Sequence, residues 1–384
     1  MLDDSVTDSR ALIEKGKCLS RHRNVKCCGR VLLFGTVEDC TGELVLVHAV
    51  FRHGERTPTG FYPFDPHRNV TFYPMGLGNL TNKGKLMMFK LGELLRSMYG
   101  ELLGDVYQES KVYARSRFVT RTKESALLVL AGMWPPGDVQ RWHPTLSWMP
   151  IAVEFKRAEE EDLLDPVCEQ LQSELISYYK NVTIQEKYIK PYRSVFKYIQ
   201  KHSGKVINDF RDAAWIYFIL KMEEDNGLKL PKWTKEIYPE PLQKIVAFQY
   251  VYKNLENKYK IMNSGHLIKK ILDDTMAKVK NILEPPDRRV FLYSGHETTI
   301  GNLLYNLNVF KLEVPTYGDT VLIEVHRRNV DHFVKVRYLR TPLNSTVEDL
   351  EVPGCGKICP VQRFYQIQVQ RGVLPGPSFR RDCY

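Results

Sequence analysis

The chain has 384 residues, enough for one domain of above-average size or a core domain with a sizeable insertion. Apolar content of 43% and charged content of 26% are ordinary for a soluble globular protein, and a formal net charge of +10 favours anionic partners. The basic residues are spread along the chain, with no Lys/Arg block and no zinc-finger, helix-turn-helix or RNA-binding signature, which excludes nucleic acid. No stretch approaches the ~18 apolar residues of a membrane span, which excludes a transmembrane anchor.

In chain order, residues 1–42 are expected to lie outside the fold. They hold a weak signal-like segment, "RVLLFGTVEDCTG" at 30–42, approached by Arg21, Arg23, Lys26 and Arg30 and interrupted by Glu38 and Asp39. The apolar run "ELVLVHAV" at 43–50 predicts a buried strand. A helix is expected over 80–100, capped by Thr81, with Leu86, Phe89, Leu94 and Met98 on its apolar face and Gly100 past its end. "KVYARS" at 111–116 predicts a second strand, and 121–136 a helix stopped by Pro135 and Pro136. From 167 to 284 the pattern is mostly amphipathic helix; in 265–283, for example, Ile268, Leu272, Met276 and Val279 share one face. Strands resume at 288–295, 319–327 and 332–340, the last two as a hairpin. This order implies an α/β core from 43–166 and 285–384, carrying a helical cap insertion at 167–284.

Three polar clusters stand at ends of the expected strands, where open α/β sheets bind ligands. They are Arg52-His53-Gly54-Glu55-Arg56, then Arg115, then His296-Glu297. If these strands are neighbours, three arginines and two histidines converge into a tetrahedral oxyanion site, because guanidinium groups pair bidentately with phosphate oxygens. A neutral imidazole at His53 is a competent nucleophile, and a carboxylic acid at Glu297 could protonate a leaving alkoxide. The arginines supply the charge compensation, so no metal or cofactor is expected. His48, inside the first strand, reads as a packed histidine. Phe61, Tyr62 and Phe64 either pack the cap or line the pocket mouth.

Eight cysteines and four Asn-x-Ser/Thr sequons, at Asn69, Asn79, Asn181 and Asn344, suit an oxidising compartment. Secretion is expected, with a lysosomal lumen as the alternative.

"RHGERTP" at 52–58 resembles the first signature of the histidine acid phosphatases, and "YSGHETT" at 293–299 resembles the second, Y-S-x-H-D-T-T. The likeness runs from about 43 to 383. It takes in "ARSRFVTRTKE", similar to the family's R-S-T-D-x-D-R-T segment, and the tail "CGKICPVQRF". It implies a three-layer core with a mostly parallel sheet and a cap. It further implies hydrolysis of phosphate monoesters through a phosphohistidine on His53, with Arg52, Arg56, Arg115 and His296 binding phosphate. The disulfides it implies are Cys168–Cys383 and Cys355–Cys359; a homodimer is a further expectation. Two departures stand out. Glu297 occupies the position of the family's proton-donating aspartate. Arg117-Phe118-Val119-Thr120 replaces T-D-x-D, which leaves no nearby carboxylate beside Arg115. Alternative readings are a weakened paralogue that only binds phosphate, and a phosphotransferase or mutase.

Overall fold

A strand buried on both faces reads as a near-continuous apolar run, and the first strand does. In the computed structural model, which describes residues 42–166 and 168–376, β1 spans Glu43–Arg52 and is buried from Val45 onward. Its side chains alternate between two cores. Leu46 and Val50 enter one; Val47, Ala49 and Phe51 enter the other. His48 points into the first, fully buried and stacked on Phe291 at 4.8 Å. Burial and the Lys270 charge lower its pKa to about 3, so it is the neutral packed histidine expected.

β2 is Val112–Ser116, β3 Glu154–Phe155, β4 Val290–Gly295, β5 Thr320–Arg328, β6 Asp331–Arg340, β7 Thr346–Leu350 and β8 Cys359–Pro360. The sheet order is β3-β2-β4-β1-β5-β6-β7, with β8 also on β6. The four strands β3, β2, β4 and β1 run parallel; β5 and beyond are antiparallel, including the β5–β6 hairpin. The ends of β2, β4 and β1 are therefore adjacent.

Helices cover both faces. Helices α1 (Asn82–Leu103) and α2 (Thr120–Met133) pack on one face. The insertion contributes α3 (Glu169–Tyr179), α4 (Arg193–Ser203), α5 (Phe210–Asp225) and α6 (Leu242–Tyr252), whose apolar faces form a separate aromatic-rich core. Helices α7 (His266–Val279), α8 (Glu297–Asn306) and α9 (Val361–Gln370) cover the other sheet face. Three layers and a cap result, as expected. Helix α7 lies in the sheet-covering layer although its sequence falls inside the insertion. Its Ile268 and Leu272 pack with Phe291 and Val50 of the sheet rather than with the cap.

Helix α1 departs from expectation in two ways. Thr81 does cap it, accepting from Gly84 N at 3.0 Å, but the helix continues past Gly100 to Leu103 and ends on Gly104 at φ 73°. Its most buried face holds Gly84, Met87, Met88, Leu91, Gly92 and Leu95, while Leu86 is exposed. Glycine marks this face because α1 meets α2 backbone to backbone. A Cβ at Gly92 would lie 2.1 Å from the Val129 carbonyl oxygen.

Cys355 and Cys359 form a disulfide. Asn69 and Asn181 are exposed, whereas Asn79 Nδ2 donates to the Met75 carbonyl at 2.7 Å. Residues 1–41, Cys383 and the Asn344 side chain lie outside what is described. Among the described residues no helix is long and apolar enough to cross a membrane.

Candidate active site

β1 ends at Arg52, paired in register with Gly295 at the end of β4, so the two signature segments leave the sheet side by side. The His53 amide donates to the Gly295 carbonyl at 3.0 Å, and Arg52 N donates to Asp319 O at 3.0 Å. The turn after β1 is seated on α1 without intervening side chains. Thr81 N donates to Glu55 O at 3.0 Å. A Cβ on Gly54 would lie 2.5 Å from Gly84 O, and one on Gly84 would lie 2.0 Å from Glu55 O. Glu55 is buried and accepts from Thr81 Oγ1 at 3.0 Å and Lys83 Nζ at 2.5 Å.

Helices α2 and α8 start at the ends of β2 and β4, so two positive helix termini face the same region. The Thr122 carbonyl accepts from Ser294 Oγ at 2.8 Å, which ties these two starts together.

His53, His296 and Glu297 are brought together: one side-chain ligand atom from each lies within 4.8 Å of the others. The two imidazoles meet edge to face at 5.3 Å. Such a trio has the spacing of a metal site, but the surrounding guanidinium groups favour an anion over a dication. Burial, then the charges of Arg52, Arg121, His296 and Arg56, hold the His53 pKa well below its ordinary value. His53 Nδ1 lies 2.8 Å from Gly54 O. Burial and Arg121 likewise bring His296 to about 3. Burial pushes the Glu297 carboxyl up, but Arg52, His296 and Arg56 outweigh it and hold it below the usual range.

Arg52 is clamped. Its NH1 donates to Pro315 O at 2.6 Å, its Nε lies 3.7 Å from Glu297, and its guanidinium sits 4.2 Å from the Tyr317 ring and 5.5 Å from that of Phe218. Arg56 is buried, with NH1 donating to Thr57 O at 2.9 Å. The Nε atoms of Arg56 and Arg121 are buried and have no hydrogen-bond partner among the described residues. Burial and the neighbouring Arg56 bring Arg121 down to about 10, still cationic at any physiological pH.

Arg115 does not join this group. Its NH2 donates to Glu161 at 2.9 Å and to Asp162 at 2.6 Å, both in the loop before the insertion. The cause is register: Arg115 pairs with Tyr293, two residues before the Gly295 that pairs with Arg52, so it leaves the sheet below the site, on the same face as Tyr113. The carboxylates absent from 117–120 are thus replaced from a distance: Asp165 likewise pairs with Arg117 at 2.8 Å. Arg121, in the first turn of α2, supplies the third cation instead. The sequence signal was available, since "RSRFVTRT" carries arginines six residues apart, and proximity to the strand end favoured the first.

The aromatics of the 59–79 loop do not line this site. Tyr62 is buried in the cap core, Phe61 stacks on Phe72 at 6.3 Å, and Phe64 is exposed.

The comparisons agree with this architecture. The model of the histidine phosphatase superfamily, branch 2, matches residues 43–339, and the chain belongs to that family. It is 34% identical over 343 residues to venom acid phosphatase Acph-1 of Apis mellifera, covering 88% of this chain and 87% of the relative. Identity to human prostatic acid phosphatase is 31% over 352 residues, covering 88% and 86%. Among solved structures, Hafnia alvei phytase in complex with myo-inositol hexakis sulphate superposes with a TM-score of 0.65 at 16% identity, covering 90% of this chain and 99% of that one.

Proposed function

We propose that the protein is an acid phosphatase that hydrolyses phosphate monoesters through a phosphohistidine. The observation that carries this reading is a buried His53, kept neutral, with Nδ1 against a carbonyl and three guanidinium groups around it. With the proton on Nδ1 donated to Gly54 O, the Nε2 lone pair is free to attack phosphorus. Arg52, Arg56, Arg121 and His296 hold the phosphoryl oxygens, with Arg121 in the role first expected of Arg115. The P–O ester bond breaks, and Glu297 transfers its proton to the departing oxygen. A water, its proton taken up by Glu297, then attacks phosphorus; the P–N bond breaks, its electron pair returns to His53 Nε2, and inorganic phosphate leaves.

The test is turnover of an aryl phosphate combined with acid-stable or acid-labile trapping of ³²P. Wild type is expected to form a base-stable, acid-labile phosphoenzyme that His53→Ala lacks. A fully active His53→Ala protein would sink the reading.

Placement in a secretory or lysosomal lumen is part of this proposal; the likeness to a venom enzyme, the Cys355–Cys359 bridge and the exposed sequons support it. Asn69 and Asn181 are the proposed glycan sites, and glycosidase digestion of protein from a eukaryotic host should shift its mass. The Cys168–Cys383 pairing is proposed alongside.

A further inference from the structure

A cavity of about 230 Å³ opens beside the proposed phosphate site. Arg52 and Tyr317 line it, and the Tyr317 ring lies 5.9 Å from that of His53, so the cavity adjoins the reacting centre. Met87, Phe218 and Leu343 give it apolar walls. An ester bound at His53 would place its leaving group here.

Four charged side chains also face this space: Glu55, Lys83, Lys221 and Asp225. They form two ion pairs. Lys83 meets Glu55 at 2.5 Å, and Lys221 meets Asp225, one helical turn on along α5. The pairs also feel each other. Glu55 and Lys83 both act on the Asp225 carboxyl, which burial pushes up first. Glu55 and Asp225 are well buried, whereas Lys83 is half-exposed. Neither lysine can therefore offer an uncompensated charge to a ligand without abandoning a partly buried carboxylate, which is costly.

We propose that these two pairs make the leaving-group cavity electrically neutral, so that the protein selects monoesters with an uncharged, partly apolar leaving group and discriminates against leaving groups bearing further phosphates. This rests on the reading of the His53 cluster as the phosphate site. The three arginines there compensate one phosphoryl group. A second or third phosphate in the cavity would meet two carboxylates whose partner lysines are already spent, and specificity arises from this mismatch as much as from the apolar walls.

Two variants move the balance in opposite directions. Asp225→Asn frees Lys221 and gives the cavity a net positive charge. Lys221→Met leaves Asp225 alone and makes it negative. The probes are 4-nitrophenyl phosphate and inositol hexakisphosphate, with inositol hexakissulfate as a non-hydrolysed polyanion measured by calorimetry. For inositol hexakisphosphate, kcat/KM should rise about tenfold in Asp225→Asn and fall about tenfold in Lys221→Met, while 4-nitrophenyl phosphate changes less than about threefold in either. Hexakissulfate affinity should follow the same order. If wild type prefers the hexakisphosphate, or if either folded variant changes both substrates alike, the proposal is overturned. Absence of turnover on 4-nitrophenyl phosphate would count against the hydrolase reading alone. The hexakissulfate affinities would then decide the cavity's charge by themselves, and an unchanged affinity in both variants would overturn it.

Discussion

His53 Nδ1 and the carbonyl oxygen of its own neighbour Gly54 lie 2.8 Å apart. A carbonyl only accepts, so the ring proton belongs on Nδ1 and the lone pair on Nε2. Burial and the arginines keep the ring neutral far into the acid range, where an ordinary histidine would be protonated and useless as a nucleophile. This gives an acid enzyme a working histidine. The acid limb of the kcat/KM profile should therefore lie well below pH 6.5. The alkaline limb should fall near the second ionisation of the phosphate ester, at about pH 6. Arg121→Gln removes one depressing charge, so its acid limb should move to higher pH in the same assay.

Glu297 is ionised in the free site because Arg52 and its neighbours outweigh the effect of burial. Its proton must then arrive with the substrate monoanion, or follow once the phosphate offsets those cations. Glu297→Gln should cost about 10²–10⁴-fold on an alkyl phosphate, whose alkoxide needs a proton, and far less on 4-nitrophenyl phosphate, whose phenolate does not. Equal losses on the two substrates would contradict the donor role. Glu297→Asp shortens the reach by one methylene, and its activity measures how closely the surrounding residues are adapted to glutamate.

Of the three arginines of "RSRFVTRT", Arg115 and Arg121 should separate cleanly. Arg121→Ala should lower kcat/KM by about 10²–10³-fold, as loss of one oxyanion donor does, with little change in Tm. Arg115→Ala should do the reverse. It strands the fully buried Glu161, so the protein should lose about 3 kcal/mol in urea unfolding while the remaining folded fraction keeps phosphate affinity.

The contrast shows where sequence reasoning reached and where it stopped. Arg52, His53, His296 and Glu297 were legible because they follow directly on strands whose apolar runs are unmistakable; strand order then brings them together. Arg115 stands two residues short of the level of Arg52, a register that only strand pairing reveals, and helix α2 carries its own arginine back to the site from six residues further on. Helix α7 was misassigned to the cap because an amphipathic face does not say which core it meets. The Glu55–Lys83 pair was invisible because it joins two segments, and although the i,i+4 spacing of Lys221 and Asp225 is readable in the sequence, only the fold brings both pairs to one cavity.

The carboxyls of Glu223 on α5 and Asp65 in the 59–79 loop are both buried beside the Tyr62 hydroxyl. Burial, then the hydrogen bond that protonated Glu223 gives to Asp65 and the Asp65 charge, push the Glu223 carboxyl up to about 9. A carboxyl whose folded pKa is raised binds a proton that the unfolded chain releases above about pH 4.5. This stabilisation is fully present below that pH and is lost as pH rises through the folded value. The Tm should therefore decline from pH 5 to pH 8, and Glu223→Gln, neutral at every pH, should flatten that decline. A slope unchanged by the substitution would remove this pair as its source.

The contact of Gly54 with Gly84 has a mechanical meaning. Where other turns rest on compressible side chains, this one rests chiefly on the peptide groups of Gly84 and Glu55, with Met88 beside them, so the height of His53 above the sheet is set largely by backbone dimensions. Adding a single methyl at Gly84 acts as a shim: its Cβ would stand 2.0 Å from the Glu55 carbonyl oxygen, so the backbone must yield and the reactive nitrogen is lifted out of line. Damage at this joint should therefore cost heat resistance and activity together.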